Sequence, residues 1–300
     1  METNVSRSKM SESKVDRWIY LVNFLFLLFA FIVIAYPLYY VIISSISELG
    51  TLKGPVPLMP GTFTMDGYKR IMNDSNIWNG YLNSFLYTGV GTTINLVLTL
   101  TGAYALSRND LPFKRTLNVM LVFTMVVNSG LIPRYLLVSN LRLIDTIWAL
   151  VLPNAITIFN LFVARTFFQT SIPIELLEAA RIDGCNDFRF FFSIALPLSK
   201  AIVAVLIIYY GVAQWNSYFD ALIYLRSTDK SPLQLVLRRI LVLNEALASI
   251  SDGDTISELQ KMMDSIKYGV IIIASLPMMI LYPSMQKFFV KGVMIGSVKG

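Results

Sequence analysis

The chain has no histidine in its 300 residues and a single cysteine, Cys185. The first absence removes His-based triads, imidazole general bases and His metal sites. The second removes any intramolecular disulfide and any Cys-based zinc site. Neither a G-x-x-x-x-G-K-[ST] phosphate loop nor a G-x-G-x-x-G stretch occurs, so nucleotide hydrolysis is not expected of this chain, and no catalytic residue, metal ligand or cofactor is assigned to it. Charge is scarce as well. Charged residues make up 15% of the chain against 55% apolar, with a mean hydropathy of +0.60, whereas a soluble domain carries about 25% charged residues.

The apolar residues are concentrated in charge-free windows at 18–47, 75–107, 116–133, 146–164, 201–219 and 268–286. A hydrocarbon core about 30 Å thick takes about 20 apolar residues of helix to cross. The windows match that length, so the fold class expected is an all-α membrane protein with six transmembrane helices. The chain divides into an N-terminal segment 1–17, a membrane domain 18–290 and a tail 291–300. Loops 47–80 and 221–267 fall on one side and loop 171–199 on the other.

Charge placement sets the orientation. With the N-terminus inside, the net +6 lies entirely on the inner segments and the outer ones balance. Lys and Arg in short loops decide topology. Arg7, Lys9, Lys14 and Arg17 precede the first span, against Lys53, Lys69 and Arg70 in the following loop. Both termini are therefore expected in the cytoplasm, and the excess charge needs no nucleic acid to explain it. The first window exceeds the 7–15 apolar residues of a signal peptide, so it reads as an uncleaved span, bent near Pro37. Residues 67–70 through Trp78 read as one interfacial helix. Span two, Tyr81 to Ser107, carries Gly89, Gly91, Gly102 and Ala103, small side chains that let helices approach closely in lipid.

Loop 171–199 is the most patterned stretch. Pro173 suits a first helical position, where a missing N–H costs nothing. Glu175 and Glu178 follow, where the helix dipole favours acids. Gly184 suits a left-handed helix terminus. Asn186 or Asp187 then caps a second short helix, whose Phe188 and Phe190 to Phe192 rest on the bundle, and Pro197 opens span five. Two short helices at a sharp angle result. Their exposed side is expected to present Ala179 and Ala180, small enough for another protein's backbone to come close.

Glu178-Ala-Ala, then Gly184, then Ile194-x-Leu-Pro197 resembles the EAA loop of permease subunits of bacterial ABC importers. Ala103-Tyr-Ala-Leu-Ser-Arg108, Trp215-Asn216 and the ending Lys291 to Gly300 are similar to the carbohydrate-uptake, maltose-type group. Ser129-Gly-Leu-Ile-Pro-Arg134 and Leu143-Ile-Asp-Thr-Ile-Trp148 are similar to permeases for oligosaccharides from complex, uronate-rich polysaccharides. So is Trp215-Asn-Ser-Tyr-Phe-Asp220, which has serine where the commonest pattern has an acid. The resemblance implies a type I importer permease fold with a cytoplasmic coupling helix. It implies that Glu178, Ala179, Ala180, Arg181, Asp183, Gly184, Asp187, Ile194, Leu196 and Pro197 form the element that meets an ATPase subunit. Gly296, Ser297 and Lys299 would bring the tail to the same interface. The implied partners are a second permease, two ATPase subunits that keep the ATP, and an extracytoplasmic solute-binding protein that delivers oligosaccharide. The implied location is the lipid of the bacterial cytoplasmic membrane.

Sugars are held by aromatic faces and side-chain hydrogen bonds, which makes Asn128, Asn160, Gln214, Trp215, Asn216, Tyr218 and Asp220 candidates for the pathway. Polar residues in spans also face the interior simply because lipid cannot satisfy them, so bundle packing is the competing reading. Arg134, Arg142, Arg226, Arg238 and Arg239 near the outer mouth would attract an acidic sugar. Loop 221–267 is expected to form a helix over Ser231 to Glu245 and another from Thr255 into span six. It would contact either the binding protein or the bundle mouth. An ABC importer for a non-sugar solute (peptide, polyamine or metal), an ion-driven secondary transporter and a membrane scaffold remain the alternatives.

Overall fold

The computed structural model describes residues 14–48, 59–127, 129–248 and 266–284. Among them every extended regular element is helical, and one isolated antiparallel bridge joins Ser47 to Phe63. Helix α1 (Lys14–Ser45) continues through Pro37 and is exposed along most of its length. A helix that is apolar all round has no inward stripe, and lipid is the solvent that suits it. Helix α2 (Asp66–Asn73) stops at Asp74, whose carboxylate accepts from the Asn76 N–H at 2.8 Å and caps α3 (Ser75–Ser107). The single helix expected through Trp78 is thus two helices, with Trp78 on the first turn of α3.

Helix α3 is the centre of the bundle and packs against the helices that become the fourth and fifth windows. After it the backbone extends at Arg108, and Pro112 keeps the helix from resuming before α4 (Lys114–Val126). Helix α5 (Leu131–Asn140) follows Gly130, which has φ +78°. The window at 116–133, expected to form one transmembrane helix, is therefore divided between two. The next window is also broken: α6 (Trp148–Val151) runs into a 3-10 turn, Leu152–Asn154, and then bends 52° into α7 (Ile158–Ser171). Pro153 carries no N–H, and the Thr157 N–H left over at the break donates to the Tyr210 hydroxyl at 3.3 Å. That hydroxyl also lies 2.7 Å from Thr99 Oγ1. A helix can break at membrane depth when neighbouring helices satisfy the freed groups.

Helix α8 (Ile174–Ile182) and helix α9 (Asp187–Phe190) form the patterned loop. A π-helical turn, Phe191–Ala195, continues α9 into α10 (Leu196–Leu198), and the chain then bends 81° into α11 (Lys200–Trp215). Pro197 therefore precedes the bend instead of opening the span. Buried Ser199 marks the corner, its hydroxyl donating to the Ala195 carbonyl at 2.7 Å. Helices α12 (Phe219–Tyr224), α13 (Leu233–Ala248) and α14 (266–284) complete the described fold. By length and composition α1, α3 and α14 each suffice to cross a membrane, and three bent pairs suffice when each pair is taken together.

Three apolar clusters hold these helices. At the Ser107 end of α3, Leu100, Ala103, Phe168, Leu177, Phe190 and Leu206 meet. At its other end Tyr87, Val138, Leu150, Tyr224 and Leu235 meet, and a third cluster joins Ile71, Ile77, Trp215, Leu233 and Val270. Helix α13 lies over that second end. Its Leu233 N–H donates to Ser84 Oγ at 2.8 Å, while Tyr87 donates to the Lys230 carbonyl at 2.9 Å and Asn83 to that of Asp229 at 2.6 Å. A Cβ on Gly80 would stand 3.2 Å from Leu233 Cα, so glycine is what admits this approach. Of the two roles expected for loop 221–267, packing over the bundle is what its described part does; the helix expected from Thr255 begins outside the described residues.

Candidate functional site

Helix α8 begins after Pro173, which has extended backbone (φ −60°, ψ 143°) and stands at the cap, one position ahead of the expected first helical residue. At the other end the Gly184 N–H donates to the Arg181 carbonyl at 3.0 Å and the Cys185 N–H to that of Ala180 at 2.9 Å. This is the double closure of a Schellman motif, and it needs a left-handed residue after the cap; Gly184 has φ +76°. Nothing lies within 4 Å of the place a Gly184 Cβ would take. The glycine is there for its dihedral angle, not for space. Asn186 opens α9, its side chain accepting from the Arg189 N–H at 2.8 Å.

The two helices bury Leu177, Ala180 and Phe190 in the cluster at the end of α3, and the π-helical turn after them adds Phe191. Glu178, Ala179, Arg181, Asp183, Gly184 and Asp187 are exposed together, Ile194 and Leu196 are half-buried, and Pro197 is exposed. Ala180 corrects the expectation that it shares the exposed side with Ala179: it lies three residues after Leu177, on the same inward stripe. Only half of the aromatic run rests on the bundle, because Phe188 and Phe192 point outward with 79% and 59% of their surface exposed.

Four charged side chains bind this element to the end of α3. Asp110 accepts from Arg108 at 2.7 Å and from Arg181 at 3.0 Å; Asp187 accepts from Arg108 at 3.0 Å and from Arg181 at 3.5 Å. The result is a closed ring of two guanidiniums and two carboxylates. Bonds from Arg108 first and Arg181 second hold the Asp110 carboxyl far below the usual carboxylate range, and the Asp110 bond raises the already high pKa of Arg108. Below the ring, the Tyr104 hydroxyl accepts from Arg108 at 3.1 Å, and its ring lies 5.0 Å from Phe191 and 5.7 Å from Phe168. A cavity of about 550 Å³ opens beside it, lined by Arg108, Asp110, Gln169, Glu175, Glu178 and Arg181. Arg108 and Asp110 were not among the expected site residues. Their proximity in sequence was visible, but Asp187 lies 79 residues away and gives no local signal.

Among the described sugar candidates, Trp215 and Asn216 line a common cavity. Trp215 is a core residue: it is 2% exposed, donates its indole N–H to the Ala274 carbonyl at 3.0 Å and meets Tyr81 and Phe85 edge-on. Gln214 is half-buried against Gly91, and Asn160 is buried on α7. Asn216 borders an open cavity of about 620 Å³ that Gln234, Ser275 and Tyr282 also line. Tyr218 lies under the Arg238 guanidinium at 5.5 Å. Asp220 accepts from Asn154 at 2.6 Å and from Arg134 at 3.5 Å, so Arg134 is a partner of this acid and not a free outer cation. Arg142, Arg226, Arg238 and Arg239 are exposed. Asn128 and the tail residues Gly296, Ser297 and Lys299 lie outside the described residues.

Asp145 organises the opposite end of the bundle. It has φ +61°, and its carboxylate accepts from the N–H groups of Arg226 and Ser227 at 3.0 Å, from Ser227 Oγ at 2.6 Å and from Lys230 at 2.8 Å. These bonds, the one from Lys230 foremost, hold its pKa far below the ordinary carboxylate value. One acid thus clamps the loop after α5 to the segment between α12 and α13.

No family model matches the chain. Its sequence is 39% identical over 292 residues to Protein LplC of Bacillus subtilis (strain 168), spanning 97% of this chain and 98% of that protein. It is 40% identical over 247 residues to the polygalacturonan/rhamnogalacturonan transport system permease protein YtcP of the same organism, spanning 81% and 84% of the two. A crystal structure of a bacterial ABC transporter involved in the import of the acidic polysaccharide alginate aligns with a TM-score of 0.83 at 29% identity, covering 93% of this chain and 99% of that one.

Proposed function

The chain belongs to the permease subunits of bacterial ABC sugar importers, and from that premise we propose that it forms half of a membrane pathway for acidic, uronate-rich oligosaccharides. Permeases of this family are integral membrane proteins and not enzymes. They work with a partner permease, ATPase subunits and a solute-binding protein. For this chain the reading assigns a heterodimer with one other permease, two ATPase subunits and an external binding protein. It assigns six spans within 18–290: α1, α3, the α4–α5 pair, the α6–α7 pair, the helix ending in α11, and α14. The segments 1–17 and 291–300, with α8 and α9, would face the cytoplasm.

In this mechanism the exposed face of α8, with Glu178, Ala179 and Asp183, sits in a cleft of the ATPase. Closure of the ATPase pair on ATP pushes α8 and α9, and the spans open outward. Hydrolysis resets them. Gly296, Ser297 and Lys299 would extend the contact. The observation that carries the substrate class is the 40% identity to a permease named for polygalacturonan and rhamnogalacturonan, with an alginate importer as the structural neighbour. The exposed Arg142, Arg226, Arg238 and Arg239 favour acidic cargo at the outer mouth.

The test is uptake of labelled trigalacturonate by proteoliposomes holding the full complex. Uptake is expected to need ATP and the binding protein, to survive collapse of ion gradients, and to exceed that of a neutral trisaccharide. Preference for the neutral sugar would overturn the substrate class. Uptake driven by an ion gradient without ATPase subunits would overturn the transport mechanism.

A further inference from the structure

Helices α8 and α9 are joined to the bundle through the chain at two places only. Ile172 and Pro173 link α8 to α7, and the π-helical turn with α10 links α9 to α11. No such link reaches α3, although α3 is the helix on which α7, α11 and α13 all pack. Side chains make that connection. Arg108, the capping residue of α3, uses Nε and Nη2 on the two oxygens of Asp110 and Nη1 on both Asp187 and the Tyr104 hydroxyl. Its side chain is 12% exposed, whereas those of Asp110 and Asp187 are 55% and 57% exposed, so the tie is shielded from water on the arginine side only.

We propose that Arg108 is a positioning residue that makes α3 follow the α8–α9 element during the transport cycle. The inference rests on the permease reading and adds to it the identity of the driven span. A planar guanidinium can bridge two acids from different elements at once, which a lysine ammonium cannot do with fixed geometry. Arg181 closes the ring from α8, and Asp187 enters it from the first turn of α9, so both short helices are gripped. Tyr104, one turn earlier on α3, adds a wedge between Phe168 of α7 and Phe191. A displacement of α9 therefore acts on α3 through charge and through packing. Helix α3 has 33 residues, about 50 Å at 1.5 Å each. Its far end holds Asp229, Lys230 and Leu233 through Asn83, Tyr87 and Ser84. The grip on α8 and α9 is thus connected by one rigid helix to the segment that covers the opposite end of the bundle.

The experiment uses the complete complex in proteoliposomes and reads ATP hydrolysis with and without loaded binding protein. Arg108→Gln is expected to keep basal hydrolysis and lose at least tenfold of the stimulation, Asp187→Asn to lose the stimulation to the same extent, and Arg108→Lys to restore it only in part. The double variant has balanced charge but no tie, and it should be as defective as either single change. In a Cys185→Ser chain, Arg108→Cys with Asp187→Cys is expected to lose stimulation, regain it when a short methanethiosulfonate cross-linker joins the thiols, and lose it again on reduction. Recovery in the neutral double variant would mean that only charge balance matters and would overturn the proposal. So would full stimulation in Arg108→Gln, or a cross-linked pair that stays unstimulated. If Arg108→Gln does not assemble, the cross-linked pair decides alone. A wild-type complex that never responds to binding protein would count against the permease reading instead.

Discussion

Gly184→Pro is expected to abolish ATP-driven uptake while the protein still reaches the membrane in normal amount. Proline holds φ near −65°, whereas this position has φ +76°. It also removes the N–H that donates to the Arg181 carbonyl at 3.0 Å, so the turn between α8 and α9 loses both its dihedral angle and one of its two closures. A Cβ meets no neighbour there, which makes a graded series clean to interpret. Asparagine tolerates the left-handed region and should retain most activity. A valine pays about 1–2 kcal/mol or more for the same angle and should lose most of it. Coupled uptake should fall in the order Gly, Asn, Val, Pro, with membrane content constant. Normal uptake in Gly184→Val would show that the fixed angle between the two helices is not what coupling requires.

Asp145→Ala is expected to produce the largest loss of thermal stability among single substitutions of the half-buried loop residues. It leaves two backbone N–H groups and Ser227 without their acceptor, leaves Lys230 with only the Asp145 carbonyl, and puts alanine at φ +61°. Asp145→Asn keeps an acceptor and a residue that tolerates the angle, so it should fall between alanine and wild type. The pH dependence follows from the sign of the shift. The folded carboxyl has its pKa depressed below 3.8, first by the bond from Lys230 and then by those from Ser227 and Arg226. Its contribution is complete above the unfolded value and is lost as the pH falls through the folded one. Unfolding temperature in detergent should therefore drop more steeply below about pH 4 in wild type than in Asp145→Asn. Parallel curves would mean that the clamp does not support the loops it joins.

Much of this architecture was legible because a membrane imposes a length. The charge-free windows had to be about 20 residues or longer; three of them fall on α1, α3 and α14, and the other three overlap bent pairs. The breaks inside windows were not legible. Pro37 lies in a helix that continues and Pro153 in a turn before a bend, and nothing local separates them. The difference is a hydroxyl on Tyr210, which accepts the Thr157 N–H from a distant part of the chain. In the turn between α8 and α9, Gly184 was readable because a positive φ selects for one residue. Ala180 was not, since which stripe of α8 turns inward is set by the bundle. The ring on Arg108 escaped for the same reason: the sequence shows Arg108 beside Asp110, but only the fold brings Asp187 and Arg181 to them. Trp215 is the converse case: an aromatic beside polar residues suggested sugar, and the structure gives its N–H to Ala274 and packs it edge-on against Tyr81 and Phe85, while it also lines the cavity that Asn216 borders.

On the proposed mechanism, transport by this chain depends above all on an exposed, angled pair of short helices being driven by a separate ATPase. The most direct measurement is site-directed cross-linking from Ala179→Cys in a Cys185→Ser chain, within the assembled complex and across nucleotide-free, ATP-bound and vanadate-trapped states. The thiol introduced by Ala179→Cys is predicted to cross-link to the ATPase subunit, with a yield that changes between states, while that of Phe192→Cys does not. If the Ala179→Cys thiol reached no ATPase subunit in any state, the coupling role of α8 and α9 would be contradicted.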